Sequence, residues 1–105
     1  MGRYISVTGT PLATYREANA NIAAAANDRI VCTTGGFTIT LPASPVVNDP
    51  VQVVDATDVF GANNVTVARN GEKIQNLEED LVLNVNNTAV TLVYTGDTYG
   101  WLIIR

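Results

Sequence analysis

Hydrophobic and polar residues alternate along most of the chain after residue 28. In residues 35–55, Phe37, Ile39 and Leu41 alternate with threonines, and after a proline-rich break the alternation resumes in residues 51–53. Successive side chains of a strand point to opposite sides of a sheet, so this pattern predicts strands with one face against a core. The stretch therefore predicts a strand, a corner and a second strand.

The same alternation recurs in short segments that turn residues separate. The predicted strands are residues 29–33, 37–41, 51–55, 65–69, 72–74, 81–85, 89–94 and 99–104. Gly35-Gly36 predicts a hairpin between the first two strands, and Asn70-Gly71 predicts one between the fourth and fifth. Residues 56–64 are predicted as a loop held to the core by Val59 and Phe60. Together these features predict an all-β fold, an antiparallel β-sandwich or small barrel of about seven to eight strands.

Residues 1–28 differ in composition and are predicted to form an N-terminal arm in front of a β domain at residues 29–105. Within the arm, residues 14–17 match a capping box ahead of an alanine-rich segment, which predicts a helix. An extended arm is the alternative, because alanines give a helix little to bury. The arm is expected to become ordered on a partner, to which it would be anchored by Tyr4, Ile5 and Tyr15.

Length and composition predict one folded domain and exclude several kinds of partner. The 105 residues are 47% hydrophobic and 15% charged, as in a folded protein. The six Lys and Arg residues are scattered and the net charge is −4, so no nucleic-acid partner is expected. No apolar run approaches the about 20 residues of a membrane span, so no membrane partner is expected either. Cys32 is the single cysteine, which excludes an internal disulfide and fits assembly in a reducing cytoplasm.

The sequence offers little reactive chemistry. It has no histidine, which removes the usual general base and rules out Ser-His and Cys-His nucleophile pairs. The acidic residues Asp55 and Asp58, and those at 78–80, fall in predicted loops or strand ends, where carboxylates are ordinarily solvated. We therefore predict no catalytic residues, no metal ligands and no cofactor, and the protein is not expected to be an enzyme.

Threonines dominate the predicted polar strand faces. Solvent-facing strands normally carry lysine and glutamate, which keep a sheet soluble and protect its edges, but these strands carry few charges. Such a surface suits burial against identical copies. The predicted subunit-contact residues are Thr38, Thr40, Thr66 and Thr91.

Several of these segments, in order, resemble the small β domains of tailed-bacteriophage virion appendage proteins, which include tail-fibre, head-fibre and decoration proteins. The resemblance covers about residues 29 to 104. It is carried by Gly35–Leu41, Asn63–Val67, Asn70-Gly71, Leu81–Asn87 and Tyr94–Asp97 leading to Trp101.

The resemblance implies a non-enzymatic β-sandwich or barrel that assembles as a homotrimer on the exterior of a virion, and the virion is assembled in the host cytoplasm. We expect a tail-fibre or baseplate-type appendage or adaptor, anchored by its arm to other virion proteins of the tail, baseplate or capsid. A capsid decoration (cement) protein is the alternative within this class. A carbohydrate-binding module that recognises a host surface glycan is the alternative from another class, and it would use Tyr94, Tyr99 and Trp101.

Overall fold

Two β-sheets make up the computed structural model, which describes residues 13–104. That part of the chain contains no helix. Its nine strands are β1 (Thr14–Ala18), β2 (Ile22–Ala23), β3 (Asp28–Cys32), β4 (Thr38–Thr40), β5 (Pro50–Asp55), β6 (Val65–Ala68), β7 (Leu81–Leu83), β8 (Ala89–Tyr94) and β9 (Trp101–Ile104). The prediction of an all-β chain is thus confirmed.

Both sheets are mixed, and the first six strands alternate between them. The five-stranded sheet has the order β1-β3-β5-β8-β9, and the four-stranded sheet has the order β2-β4-β6-β7. Strands β1, β3 and β5 are parallel to one another, as are β2, β4 and β6. The chain therefore winds from one sheet to the other and adds a parallel strand to each at every turn. The antiparallel pairs are β5–β8, β6–β7 and β8–β9.

The prediction of an antiparallel fold is therefore wrong, because both sheets are mixed and every pairing among the first six strands is parallel. The expected hairpin through Gly35-Gly36 does not form, because β3 and β4 lie in different sheets. Gly35 serves another purpose: a Cβ on it would lie 2.0 Å from the backbone oxygen of Asn63. Gly36 N also donates a hydrogen bond to Asn64 O at 3.0 Å. Gly35 and Gly36 thus let one corner of the chain, the loop between β3 and β4, closely contact another corner, the loop between β5 and β6.

The second expected hairpin is also wrong, although its turn exists. Asn70 and Gly71 adopt positive φ angles of 52° and 93°, but β6 pairs with β7 rather than with residues 72–74. Those residues run toward the other sheet, where Trp101 N donates to Lys73 O at 2.8 Å. Asn70 and Gly71 thus correctly predicted a turn. They did not predict that β6 pairs with β7.

The helix predicted in the N-terminal arm is wrong, and the extended alternative holds for its described part. Strand β1 pairs in parallel with β3, and β2 with β4. The alanines act as small core residues, since Ala18 and Ala24 are buried. The strands of the described arm thus pair with strands of the β domain, and the division of the chain at residue 28 stays a prediction. Tyr4 and Ile5 lie outside the described residues, and attachment through the arm stays a prediction.

A single hydrophobic cluster receives side chains from both sheets. The alternation in residues 35–55 is confirmed, since Phe37, Ile39 and Leu41 are buried and the polar residues between them are not. Val59 and Phe60 anchor their loop as predicted, and Phe60 is fully buried.

Candidate interaction surfaces

Three of the four predicted contact threonines share one surface. Thr38, Thr40 and Thr66 lie on the outward side of the four-stranded sheet, because Ile39 and Val67 beside them are buried. Thr38 and Thr66 are direct neighbours across β4 and β6. Thr91, by contrast, lies in β8 of the five-stranded sheet. The structure thus brings three of these residues together and separates the fourth from them.

The outward side of the four-stranded sheet carries only short, uncharged side chains on its strands. This surface, here called the small uncharged face, consists of Ala23, Thr38, Thr40, Thr66, Ala68 and Val82. Val82 is 49% exposed at its edge. Ordinary solvent-exposed sheets carry charged residues that oppose association, so this face lacks the usual protection against contact with another sheet.

The outward side of the five-stranded sheet, here called the ladder face, carries a row of polar residues that crosses four strands and ends at Ile104 in β9. Strand register aligns Tyr15, Arg29, Gln52, Thr91 and Ile104. Arg29 Nε donates a hydrogen bond to Gln52 Oε1, and Gln52 Nε2 donates to Thr91 Oγ1 at 3.0 Å. Thr91 thus belongs to an ordered polar ladder.

The remaining strand positions of the ladder face are mostly apolar. They are Glu17, Val31, Pro50, Val54, Ala89, Val93 and Leu102. Glu17 and Arg29 are the two charged residues among the outward strand positions. Neither forms an ion pair within residues 13–104, where the ion pairs are Arg16–Asp28 and Arg69–Glu78. The sequence alone did not predict this surface. Arg29 lies beside Gln52 because β3 pairs in parallel with β5, and the alternation of side chains does not reveal that pairing.

The aromatic residues considered for glycan binding do not form one surface. Tyr94 and Trp101 are buried, with ring centroids 5.4 Å apart, whereas Tyr99 is 53% exposed. The Tyr94 hydroxyl lies 2.7 Å from Asp97 Oδ1 and 2.9 Å from Glu72 Oε1. The bond to Asp97, burial and the bond to Glu72 raise the pKa of Tyr94. Trp101 Nε1 is buried without a hydrogen-bond partner in the described part of the chain.

Asp55 organises a loop, contrary to the expectation that its carboxylate is solvated. It is 5% exposed and accepts hydrogen bonds of 2.9–3.2 Å from backbone N–H groups. The donors are Thr57, Asp58, Val59, Phe60 and Asn87. Burial raises the pKa of Asp55, but these N–H groups outweigh burial and hold the pKa below its ordinary value. The carboxylate is thereby committed to the backbone.

Cys32 packs in the core, as expected for a lone cysteine between hydrophobic strand residues. Its side chain is fully buried. Burial, with a smaller effect from the charge of Asp55, raises the pKa of the Cys32 thiol to about 11. A thiol with this pKa stays protonated near neutral pH and is a poor nucleophile there.

No metal-binding cluster or membrane-spanning helix in the described residues adds a further candidate site, and no family match does so either. Residues 13–104 contain no group of three or more His, Cys, Asp or Glu side chains placed to hold a metal ion. The same part of the chain has no helix long and apolar enough to cross a membrane. No protein-family model matches the chain, and no curated protein matches its sequence significantly.

Proposed function

We propose that the protein is a non-enzymatic structural protein of a tailed-bacteriophage virion that forms a homotrimer through its small uncharged face. The observation that carries this proposal is the face itself, where Thr38, Thr40 and Thr66 stand beside alanines and no strand position is charged. The ordered sequence segments that resemble virion appendage domains support the same assignment.

In the proposed trimer the two sheets are the layers of a β-sandwich, and the four-stranded layer of each copy faces the threefold axis. Short side chains let three such layers approach closely, and no charge has to be desolvated at their contact. A cyclic trimer buries this face in all three copies, so association through the face stops at three copies and does not continue into open-ended chains. Thr91 lies on the other sheet and takes no part in this contact.

Residues 1–28 would attach the trimer to other proteins of the tail, baseplate or capsid. Tyr15, one of the predicted anchors, is 61% exposed on β1, an edge strand of the five-stranded sheet, and its hydroxyl donates a hydrogen bond to Glu17 Oε2 at 2.8 Å. Tail or baseplate attachment is the form we propose. Imaging intact particles with labelled protein distinguishes it from capsid decoration: a few copies at the tail support our proposal, and many copies over the shell support a cement protein instead.

Sedimentation of the purified full-length chain tests the trimer. The wild type is expected to sediment at micromolar concentration as a trimer or as a larger assembly of whole trimers, and Thr66→Lys is expected to give a folded species in which the trimer is lost, because each copy would bring a positive charge to the same axis. The matched control is Thr98→Lys, which makes the same change at an exposed turn residue. A monomeric wild type, or a Thr66→Lys variant that stays trimeric, would rule out this interface.

A further inference from the structure

We propose that the ladder face is a second self-association surface, on which two copies dock face to face through two reciprocal Glu17–Arg29 ion pairs. The surface lies on a different sheet from the small uncharged face. The inference therefore goes beyond the proposed trimer, and each contact can form without the other.

The charge pattern of the ladder face is complementary to itself. Glu17 and Arg29 lie on neighbouring strands and on the same side of the sheet, because Tyr15 is the direct partner of Arg29 and Glu17 follows two residues later. Strands about 4.8 Å apart that rise about 3.3 Å per residue place such diagonal neighbours about 8 Å apart. A twofold axis in the contact plane, midway between the two residues, places Glu17 of each copy opposite Arg29 of the other copy. Both ion pairs then form at once, as in an isologous dimer.

The hydrogen bond to Gln52 fixes the Arg29 side chain and leaves its Nη donors available to a partner. Its Nε is used by Gln52, which in turn donates to Thr91. Its Nη groups make no hydrogen bond within the described residues, and they can present a fork to an incoming carboxylate. A side chain that is fixed before binding loses less conformational entropy on association. The Gln52–Thr91 ladder thus preorganises the cation for a partner.

The surroundings of the two charges favour a second copy as that partner. Ile104 is 54% exposed, and Val31, Val54 and Leu102 are half-buried around the polar row. Covering these apolar groups with a matching face adds hydrophobic burial around the ion pairs, which offsets part of the cost of removing water from the charges. Any other partner would need an apolar surface with one positive and one negative group at the same spacing, whereas a second copy presents both by symmetry.

Charge reversal tests the proposal by sedimentation and by its dependence on salt. Glu17→Arg and Arg29→Glu are each expected to weaken the face-to-face contact at least ~10-fold, because each creates two like-charge contacts. The double variant E17R/R29E is expected to restore the contact. An equimolar mixture of the two single variants is also expected to restore it, since a face with two arginines meets a face with two glutamates. The matched control is Glu79→Arg, the same charge change at an exposed residue away from the face.

The sedimentation results of the variants distinguish the ladder-face contact from the trimer contact. If the trimer forms, its three outward ladder faces join trimers into assemblies larger than one trimer, and each single variant sediments as one trimer. If the trimer does not form, the same reversals convert a dimer to a monomer and the ladder-face proposal stands alone. Single variants that associate like the wild type would overturn it, as would a wild type with no contact beyond the trimer. Failure of both the double variant and the mixture to associate would overturn it too, with circular dichroism confirming that the variants are folded.

Discussion

Arg16 and Asp28 form a partly buried ion pair that connects the first three strands of the chain. Arg16 Nη1 lies 2.6 Å from Asp28 Oδ2, and Asp28 is only 4% exposed. The same Arg16 nitrogen donates to Ala23 O at 3.1 Å, and Ala25 N donates to the Asp28 carboxylate at 2.8 Å. A single cation thus connects β1, β2 and β3 across both sheets.

Arg16→Met should therefore destabilise the protein by about 2–4 kcal/mol, because it leaves the Asp28 carboxylate buried without its cation. Urea unfolding followed by circular dichroism measures the change. The double variant R16M/D28N should be less destabilised than the sum of the single variants, since the buried charge is then removed as well. The control is Glu78→Gln at the Arg69–Glu78 pair, which spans 3.8 Å and involves an exposed carboxylate. That change should cost less than about 1 kcal/mol.

Asp55→Asn should destabilise the protein by about 2–3 kcal/mol, because an amide oxygen replaces a carboxylate that accepts several backbone N–H bonds. The folded pKa of Asp55 lies below its unfolded value. Its stabilising contribution is therefore complete above the unfolded pKa, about 3.9, and is lost as pH falls through the lower folded pKa.

Urea unfolding across this acidic range should show a smaller loss of stability in Asp55→Asn than in the wild type. Asp58→Asn is the matched control, because Asp58 is exposed and asparagine tolerates its positive φ of 67°. An Asp55→Asn variant with the same acid profile as the wild type would contradict this assignment.

Gly35→Ala should destabilise the protein by more than about 2 kcal/mol, because its Cβ would lie 2.0 Å from the Asn63 oxygen and force the two corners apart. Gly71→Ala provides the comparison: no atom lies within 4 Å of a Cβ built there, but the φ angle is 93°. That variant should lose only about 1 kcal/mol from backbone strain. Equal losses in thermal unfolding would argue against close contact between the corners.

The alternation of side chains predicted which residues face the core but not which strands pair. Phe37, Ile39 and Leu41 were correctly placed inside, and this alone puts Thr38 and Thr40 outside. Pairing was missed because a period of two is the same in parallel and antiparallel strands, and glycine turns suggested the nearest partner in sequence.

The polar contacts were harder to predict, because they join distant residues through the winding of the chain. Arg29 meets Gln52 from 23 positions away, and Asn87 donates to Asp55 from 32 positions away. Neither separation follows a local spacing rule. The helix prediction for the alanine-rich segment failed for a different reason. The high helix propensity of alanine is overridden by tertiary packing, because Ala18 and Ala24 are small residues buried in the core.

Trp101 offers a test of whether its aromatic ring serves the core or a ligand. Its side chain is fully buried, so Trp101→Ala should lose about 3–5 kcal/mol of stability and unfold at a much lower temperature. Trp101→Phe should lose much less, because it keeps most of the packing and removes an indole N–H that has no partner among the described residues. Tyr99→Ala, at an exposed ring, should leave thermal stability unchanged. A stable Trp101→Ala variant that had lost binding to a glycan array would instead mean that the ring acts at the surface, and the carbohydrate-binding alternative would then replace the structural one.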